Sequence, residues 1–353
     1  MQECIIIGGG VAGLAASIRL AELGITSSII EAGSYPAHKV CGEFLSPECL
    51  YQLLQWGIQP IAISQTHLHH SQQTLNFQFP QAAGGLSHLK LDPQLVQKAQ
   101  SLGVNICPNT SVKNIFPKSE KTSTHTIELT TGETLITPSL IVATGRIPSY
   151  NRPPPTFTYM GIKAHFKEIP FKGSLEMFSF PGAYLGIAPI EDDKYNVACL
   201  AHLAAVKESG NAKNLMYTMM SQSPLLQTYL SEGKNLFSEW MTTSVPEFGL
   251  KSTPKWKDAY FIGDAALTIP PASGSGLSLA LLGGCLVAEA IKQQKGQIFQ
   301  KEWQKCCSKQ LFWAKLLHQA LMCPHLSSPL VWLSKKVPSL AHYAFQLTRQ
   351  SPY

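Results

Sequence analysis

The chain has 353 residues, 44% of them hydrophobic and 14% charged. That length exceeds what one core usually fills and implies one large domain with an insertion, or two domains. The composition is globular and excludes a disordered, collagen-like or disulfide-scaffold chain. No apolar run approaches the ~20 residues of a membrane-spanning helix. The net charge of +6 is uneven. Residues 292–353 hold nine Lys or Arg and only Glu302, about +8, which leaves about −2 for the rest. No aromatic-interleaved or zinc-finger pattern accompanies those basic residues, so an anionic membrane surface suits them better than nucleic acid. The start, MQECIIIGGG, lacks the basic region and cleavage site of a signal peptide. Nine cysteines without a CxxC pair fit reduced thiols. The expectation is a cytoplasmic protein with no structural disulfide, peripheral to the inner face of the membrane if its tail touches lipid.

Glu3 to Ile7 is a β-branched run that ends in Gly8, Gly9 and Gly10, followed by Gly13 and the amphipathic stretch GLAASIRLAELG, closed by Gly24. A second run, Ser27 to Ile30, ends in Glu31. Strand, tight turn, helix and strand within about 30 residues make a dinucleotide fingerprint. Gly8 permits the turn, Gly10 lets backbone approach a pyrophosphate, and Gly13 lets helix pack against strand. The helix N-terminus offers unpaired N–H groups and a positive dipole end to phosphate. Glu31 is placed to accept from ribose hydroxyls and to repel a 2′-phosphate. The fingerprint fits FAD and NAD equally.

A segment more than two hundred residues downstream separates them. AYFIGDAALTIPPASGSGLSLALLGGCLVAEAI reads as a strand from Tyr260 to Ile262, then Gly263 and Asp264, a proline loop, and a helix opening at Gly274, Ser275 and Gly276. It resembles the GD motif of FAD enzymes of the glutathione-reductase type. The resemblance implies that Asp264 binds the ribityl chain or pyrophosphate and that the following helix points at the pyrimidine edge of the flavin. A helix N-terminus there stabilises the negative charge of a reduced flavin. Between the two ends, Leu140 to Ala143 before Thr144, Gly145 and Arg146 resembles the ATG motif that returns the chain to the sheet beside the cofactor. In GLSHLKLDPQLVQKAQSLGVNI, Asp92 reads as the cap of a helix through Leu102. His88 stands where aromatic-ring hydroxylases usually carry an arginine near the ribityl chain.

With these residues in view, the chain resembles the FAD-dependent superfamily that joins p-hydroxybenzoate-hydroxylase-like (group A) monooxygenases to geranylgeranyl reductases. It leans to the geranylgeranyl and menaquinone reductase branch. YPAHKVCGEFLSPECL, residues 35–50, looks like that branch's K-x-C-G motif and places Lys39, Cys41, Gly42 and Glu43 toward the flavin. Pro181, Tyr184 and Pro189 look like its P-x-x-Y-x-x-x-x-P substrate-cavity motif, with Gly186 and Ala188 where the family often has Trp and Phe, so the pocket is wider. Cys41 and Tyr184 are candidate catalytic residues, although a small buried residue beside the flavin also describes Cys41. Halogenases of the superfamily would show W-x-W-x-I-P, which is absent.

The Pro-rich stretch 147–155 marks a boundary. Beyond it, Thr158 to Lys167, Leu175 to Phe180, Tyr184 to Ile190 and Tyr195 to Leu200 read as strands, the last two a hairpin. Leu215, Met216, Met219 and Met220 suit a lipid pocket or an ordinary core. Trp303, Cys307, Trp313, Ala314, Leu317 and Leu321 share one helical face, with Lys301, Lys305 and Lys309 on another. That helix either covers the substrate domain or lies in a membrane interface. His67, His69 and His70 lack an acid or Cys at ligand spacing, so no metal is expected, and no Ser-His-Asp or paired-carboxylate constellation emerges.

The expected fold is α/β: a Rossmann-like FAD-binding domain of the glutathione-reductase type (1–150 and 251–295), an inserted β-sheet substrate domain (151–250) and a basic helical tail (296–353). The expected activity is an FAD oxidoreductase on a hydrophobic substrate, with NAD(P)H reducing the flavin and hydride passing to an olefin of a polyprenyl chain, quinone or similar lipid. A monooxygenase acting on an aromatic or polyketide is the alternative, and a flavoprotein without turnover a third reading.

Overall fold

The computed structural model describes residues 2–337 apart from 72, 120–121 and 146–155, together with 343 and 345–349. The Pro-rich boundary and Arg146 lie outside these residues.

A five-stranded parallel sheet runs in the order Ala259–Phe261, Ser139–Val142, Cys4–Ile7, Ser27–Ile30, Asn105–Cys107. Buried on both faces, its strands are continuous apolar runs, as parallel strands require. Cys4 and Ile6 point into a core shared with the helices Val11–Glu22, His88–Ser101 and Gly276–Lys292. Ile5 and Ile7 point into a second core under the three-stranded sheet Val112–Phe116, His125–Leu129, Thr134–Thr137. The two long helices touch through small residues: a Cβ on Gly284 would stand 2.5 Å from the Ala12 carbonyl oxygen.

The larger sheet runs Lys234–Asn235, Phe157–Lys167, Lys194–His202, Ala183–Ile190, Ser174–Phe180, Ile61–His70, Gln73–Gly85, Phe44–Leu45, with Met241–Pro246 also pairing Phe157–Lys167. The pairing of Ser174–Phe180 with Ile61–His70 is parallel, and the others are antiparallel. Strands from residues 44–85 therefore belong to this sheet, although the expected division counts them with the cofactor domain. Their alternation is too irregular to reveal that partnership, which depends on pairing with Ser174–Phe180 more than a hundred residues away.

Side-chain alternation gives the large sheet two different faces. Leu185, Ile187, Val197 and Phe178 join Leu215, Met216 and Met219 in an apolar core beneath the helices Leu203–Glu208, Ala212–Gln222 and Pro224–Glu232. The methionines are thus ordinary core. The opposite face carries Leu175, Met177, Tyr184, Gly186, Ala188 and Leu200 and borders a cavity.

The helix Gly296–Met322 spans both units. Trp303, Cys307, Leu311 and Ala314 pack into the core of the parallel-sheet unit, whereas Leu317 and Leu321 close over Tyr184. Pro324–Lys336 follows. No helix among the described residues is long and apolar enough to cross a membrane, and all nine cysteines are free thiols.

Candidate functional site

Three chain segments end together at the carboxyl edge of the parallel sheet, the place where open α/β sheets bind ligands. At the first, Gly8 adopts a φ of 102°, and a Cβ there would lie 2.3 Å from the Ala143 carbonyl oxygen. A Cβ on Gly13 would sit 1.9 Å from the Gly8 oxygen, so helix and strand approach as closely as the fingerprint demands. Gly10 has nothing within 4 Å of the corresponding position. It caps Val11–Glu22 with no side-chain hydrogen bond and no acid in the first turn, which leaves the helix N–H groups for an anion. Glu31 accepts from Gly9 N (2.5 Å) and Gly33 N (2.7 Å), beside that opening.

The second segment brings Thr144 and Gly145 (φ 75°) off Ser139–Val142; the Thr144 hydroxyl is buried without a hydrogen-bond partner. The third brings Asp264 into a short 3-10 turn, Gly263–Ala265, after Ala259–Phe261. The helix Gly276–Lys292 opens nearby, with no side-chain cap and no acid in its first turn. Gly274, at φ 64°, packs against the Phe44 ring, which a Cβ would meet at 2.7 Å. Two uncapped helix N-termini, an open glycine cradle and an orphaned buried hydroxyl fit a bound dinucleotide. With FAD in place, Gly8, Gly10 and Gly13 would admit the pyrophosphate and Glu31 the ribose. Asp264, Gly145 and the Gly276 helix end would face the ribityl and flavin portions.

Residues 39–43 form the next wall, and their backing is charged. Glu43 is fully buried at φ 52°. Its carboxylate accepts from Lys163 Nζ (2.5 Å), His165 Nε2 (2.7 Å) and the His88 backbone N–H (2.8 Å). Burial pushes the Glu43 carboxyl up, but His165 and Lys163 prevail and hold it below the usual range. Lys163 also donates to the Lys39 carbonyl at 2.9 Å. Strand alternation explains the pair: Lys163 and His165 lie on the same face as Gly161, which lines the cavity.

Beside this cluster, His88 Nδ1 lies 2.9 Å from Asp92 Oδ1, and Lys39 Nζ reaches Asp92 Oδ2 at 2.7 Å. Ser87 is the helix N-cap residue, so Asp92 lies inside the helix, one turn from His88, and is not its cap as expected. The His88 ring also faces the Cys41 thiol, and Glu43 N donates to that sulfur at 3.4 Å. Burial lowers the His88 pKa, but Asp92 and Cys41 outweigh it and raise the group to about 9. Burial raises the Cys41 thiol, yet His88 and the Glu43 N–H bring it below its ordinary value. The sequence shows no catalytic constellation, but the structure assembles Cys41, His88 and Asp92. The i, i+4 spacing of His88 and Asp92 is visible in the sequence; Cys41 is not locally related to either.

Between this wall and the large sheet lies a cavity of about 960 Å³. Cys41, Gly42 and Gly274 border it on the cofactor side, and Leu175, Met177, Tyr184, Gly186 and Ala188 on the sheet side. Leu317 and Leu321 close a third side. Pro181 is exposed in a turn, and the Pro189 carbonyl packs on Gly85, where a Cβ would meet it at 1.9 Å; neither borders the cavity. In the motif, the tyrosine and the two small residues alternate onto the cavity face, and the prolines do not. A Cβ on Gly186 would lie 3.1 Å from Met177 Sδ. The buried Tyr184 hydroxyl lies beside the Ala272 backbone without a well-formed hydrogen bond, and burial raises its pKa. His318, unnoticed in the sequence, packs edge-on to Tyr184, Tyr159 and Phe248, and burial lowers its pKa to about 4.

His67 and His69 do have an acid partner, contrary to the spacing argument. Glu176, from the neighbouring strand, accepts from His67 Nδ1 (2.8 Å) and His69 Nε2 (2.5 Å). A strand pairing more than a hundred residues away supplied it. No metal-holding group occurs among the described residues.

Residues 1–146 match the FAD binding domain family. The chain is 23% identical over 339 residues to menaquinone reductase of Mycolicibacterium smegmatis, covering 85% of this chain and 79% of that protein. Among solved structures, the flavin-dependent brominase Bmp2 shares the fold at a TM-score of 0.81 and 17% identity, over 98% of this chain and 93% of that one. PqsL of Pseudomonas aeruginosa, described as a probable FAD-dependent monooxygenase, does so at 0.75 and 15%, over 94% and 99%. These likenesses to solved structures carry the fold and not a reaction. With the glycine cradle and the uncapped helix ends, the matches place this chain in the superfamily of FAD-dependent oxidoreductases.

Proposed function

We propose that the chain is an FAD-dependent reductase of a hydrophobic substrate, a polyprenyl chain or quinone presenting an olefin, with NAD(P)H as the source of electrons. The observation that carries this reading is the cavity. It is large, bordered by Leu, Met and Phe side chains and by glycines, and begins at Gly42 and Gly274, where the cofactor cradle ends. The similarity to menaquinone reductase over most of both chains supports the same branch. Bound FAD would supply hydride transfer. The chain itself does the rest: Gly10 and the Val11–Glu22 helix end hold phosphate, Glu31 takes the ribose, and the apolar walls exclude water. Cys41 presents a thiol to the cavity, and Tyr184 shapes its far wall.

The same reading gives the basic tail a use. Trp313 and Leu316 border the cavity and are also exposed, Phe312 is exposed beside them, and Lys309 and Lys315 lie on the same helix. Aromatic and aliphatic side chains flanked by lysines suit the anionic cytoplasmic face of a membrane, from which a lipid would enter directly.

The deciding experiment supplies NADH or NADPH and a polyprenyl quinone under argon. A reductase forms product without oxygen. Strict oxygen dependence, with labelled oxygen in the product, overturns the reading in favour of a monooxygenase.

A further inference from the structure

Cys41, His88 and Asp92 come from a loop and a helix that meet only in the fold, and their order is Sγ, imidazole, carboxylate. Asp92 Oδ1 takes His88 Nδ1 at 2.9 Å, which leaves the other ring nitrogen away from the carboxylate on a ring that faces the sulfur. Asp92 is itself fixed by Lys39 at 2.7 Å. The sulfur accepts from Glu43 N, and Asn196 Nδ2 donates to the Cys41 carbonyl at 3.0 Å, so both ends of the cysteine are held. His88 and Asp92 are buried, whereas Cys41 is half-buried and borders the apolar cavity. The geometry therefore runs from a buried carboxylate to a thiol at the cavity wall, through one imidazole.

We propose that Cys41 and His88, positioned by Asp92, are a proton-sharing pair that delivers a proton into the apolar cavity. The pair stands on its own geometry; only the identity of its proton acceptor rests on the proposed reductase function. Reduction of a double bond needs a hydride on one atom and a proton on its neighbour. Bound FAD, with a nicotinamide nucleotide as its reductant, would supply the hydride. The proton comes from the pair: the His88 N–H bond breaks as its proton passes to the Cys41 sulfur, the sulfur hands that proton on as the new C–H bond forms, or O–H on a quinone, and solvent reloads His88. The Tyr184 hydroxyl is held protonated by burial, and Glu43 is a carboxylate saturated by Lys163, His165 and the His88 N–H.

The titratable groups around the pair are Tyr35, Lys39 and Glu43 from the preceding segment, Asp92 from the helix, and Lys163 and His165 from the large sheet. Lys163 and His165 are both tied to the Glu43 carboxylate. Asp92 is held below the usual carboxylate range: burial raises it, but His88 and Lys39 prevail. At the sulfur His88 lowers the thiol while the Glu43 charge opposes it, and His88 prevails. The pair is in this respect similar to other thiol–imidazole arrangements in which a neighbouring cation lowers a thiol's pKa.

The test is the pH profile of alkylation at Cys41 by iodoacetamide, read by peptide mass spectrometry on the protein as purified, with no substrate. The wild-type midpoint should lie at least one pH unit below the ordinary thiol value of about 8.5. His88→Gln should raise the midpoint by at least a unit, and at pH 7 slow alkylation about tenfold. Asp92→Asn should shift it the same way by less. A wild-type midpoint at or above the ordinary value overturns the proposal, whether or not either variant folds, and so does an unmoved midpoint in folded His88→Gln. A low midpoint together with oxygen-dependent turnover would sustain the pair and sink the reductase reading, so the two failures are distinguishable.

Discussion

The two walls of the cavity are built in opposite ways. The sheet wall is apolar and regular. Along Ala183–Ile190, Tyr184, Gly186 and Ala188 face the cavity, and Ala183, Leu185 and Ile187 between them fill a separate core. The loop wall at residues 39–43 presents Val40, Cys41 and Gly42, with a cluster of buried polar and charged groups behind them: Glu43, Lys163, His165, His88 and Asp92. Shape on one side decides what enters. Fixed charge on the other decides which protons are available. Apolar walls tolerate substitution of similar volume, whereas a buried ion pair does not tolerate loss of one partner, so the two walls should respond very differently to mutation.

The largest effect should fall on the loop wall. Lys163→Met leaves Glu43 fully buried with a cation partner removed, and breaking a pair of that kind costs about 3–5 kcal/mol. Chemical denaturation measures it, and a loss below about 1 kcal/mol would show that the charges behind the loop carry no stability.

Next comes the point where the sheet wall meets the Gly296–Met322 helix. His318 is buried among three aromatic rings, and its pKa falls from 6.5 to about 4. A group depressed on folding contributes stability that is whole above its unfolded pKa and is lost as pH drops through the folded one. Melting curves should therefore lose up to about 3 kcal/mol between pH 6.5 and 4 through this residue. In His318→Phe that part of the acid slope should vanish; an unchanged slope would mean that other groups set it.

Smaller again is the contribution of the surface outside the walls. Lys301, Lys305, Lys309 and Lys315 should each add about 1 kcal/mol to binding of anionic vesicles at low salt, and salt should weaken it. Equal sedimentation with anionic and neutral vesicles would leave the exposed Phe312, Trp313 and Leu316 without a lipid partner.

The same contrast explains what the sequence reveals. The nucleotide cradle is local. Gly8, Gly10, Gly13 and Glu31 fall in one βαβ unit, and the strands Cys4–Ile7 and Ser27–Ile30 follow from two apolar runs. The Asp264 turn and the Gly276 helix are equally self-contained. The sheet wall is legible from alternation alone, because which residues face the cavity depends on parity. The loop wall is not. Glu43 meets Lys163 across 120 residues, Cys41 meets His88 across 47, and Glu176 meets His67 and His69 only through a parallel strand pairing. A residue such as His165 reads as an ordinary strand histidine until the fold brings Glu43 to 2.7 Å.

Reoxidation of the reduced enzyme under argon tests most directly whether reduction takes place between these walls. Rapid mixing with a polyprenyl quinone should reoxidise the wild-type flavin. Gly186→Trp places a ring beside Met177, on the sheet wall and away from the nucleotide cradle. It should keep one FAD per chain and slow that reoxidation at least tenfold, about 1.4 kcal/mol in the barrier. Equal rates in the two proteins would contradict the cavity as the reaction site, as would a wild-type flavin that stays reduced until oxygen is admitted.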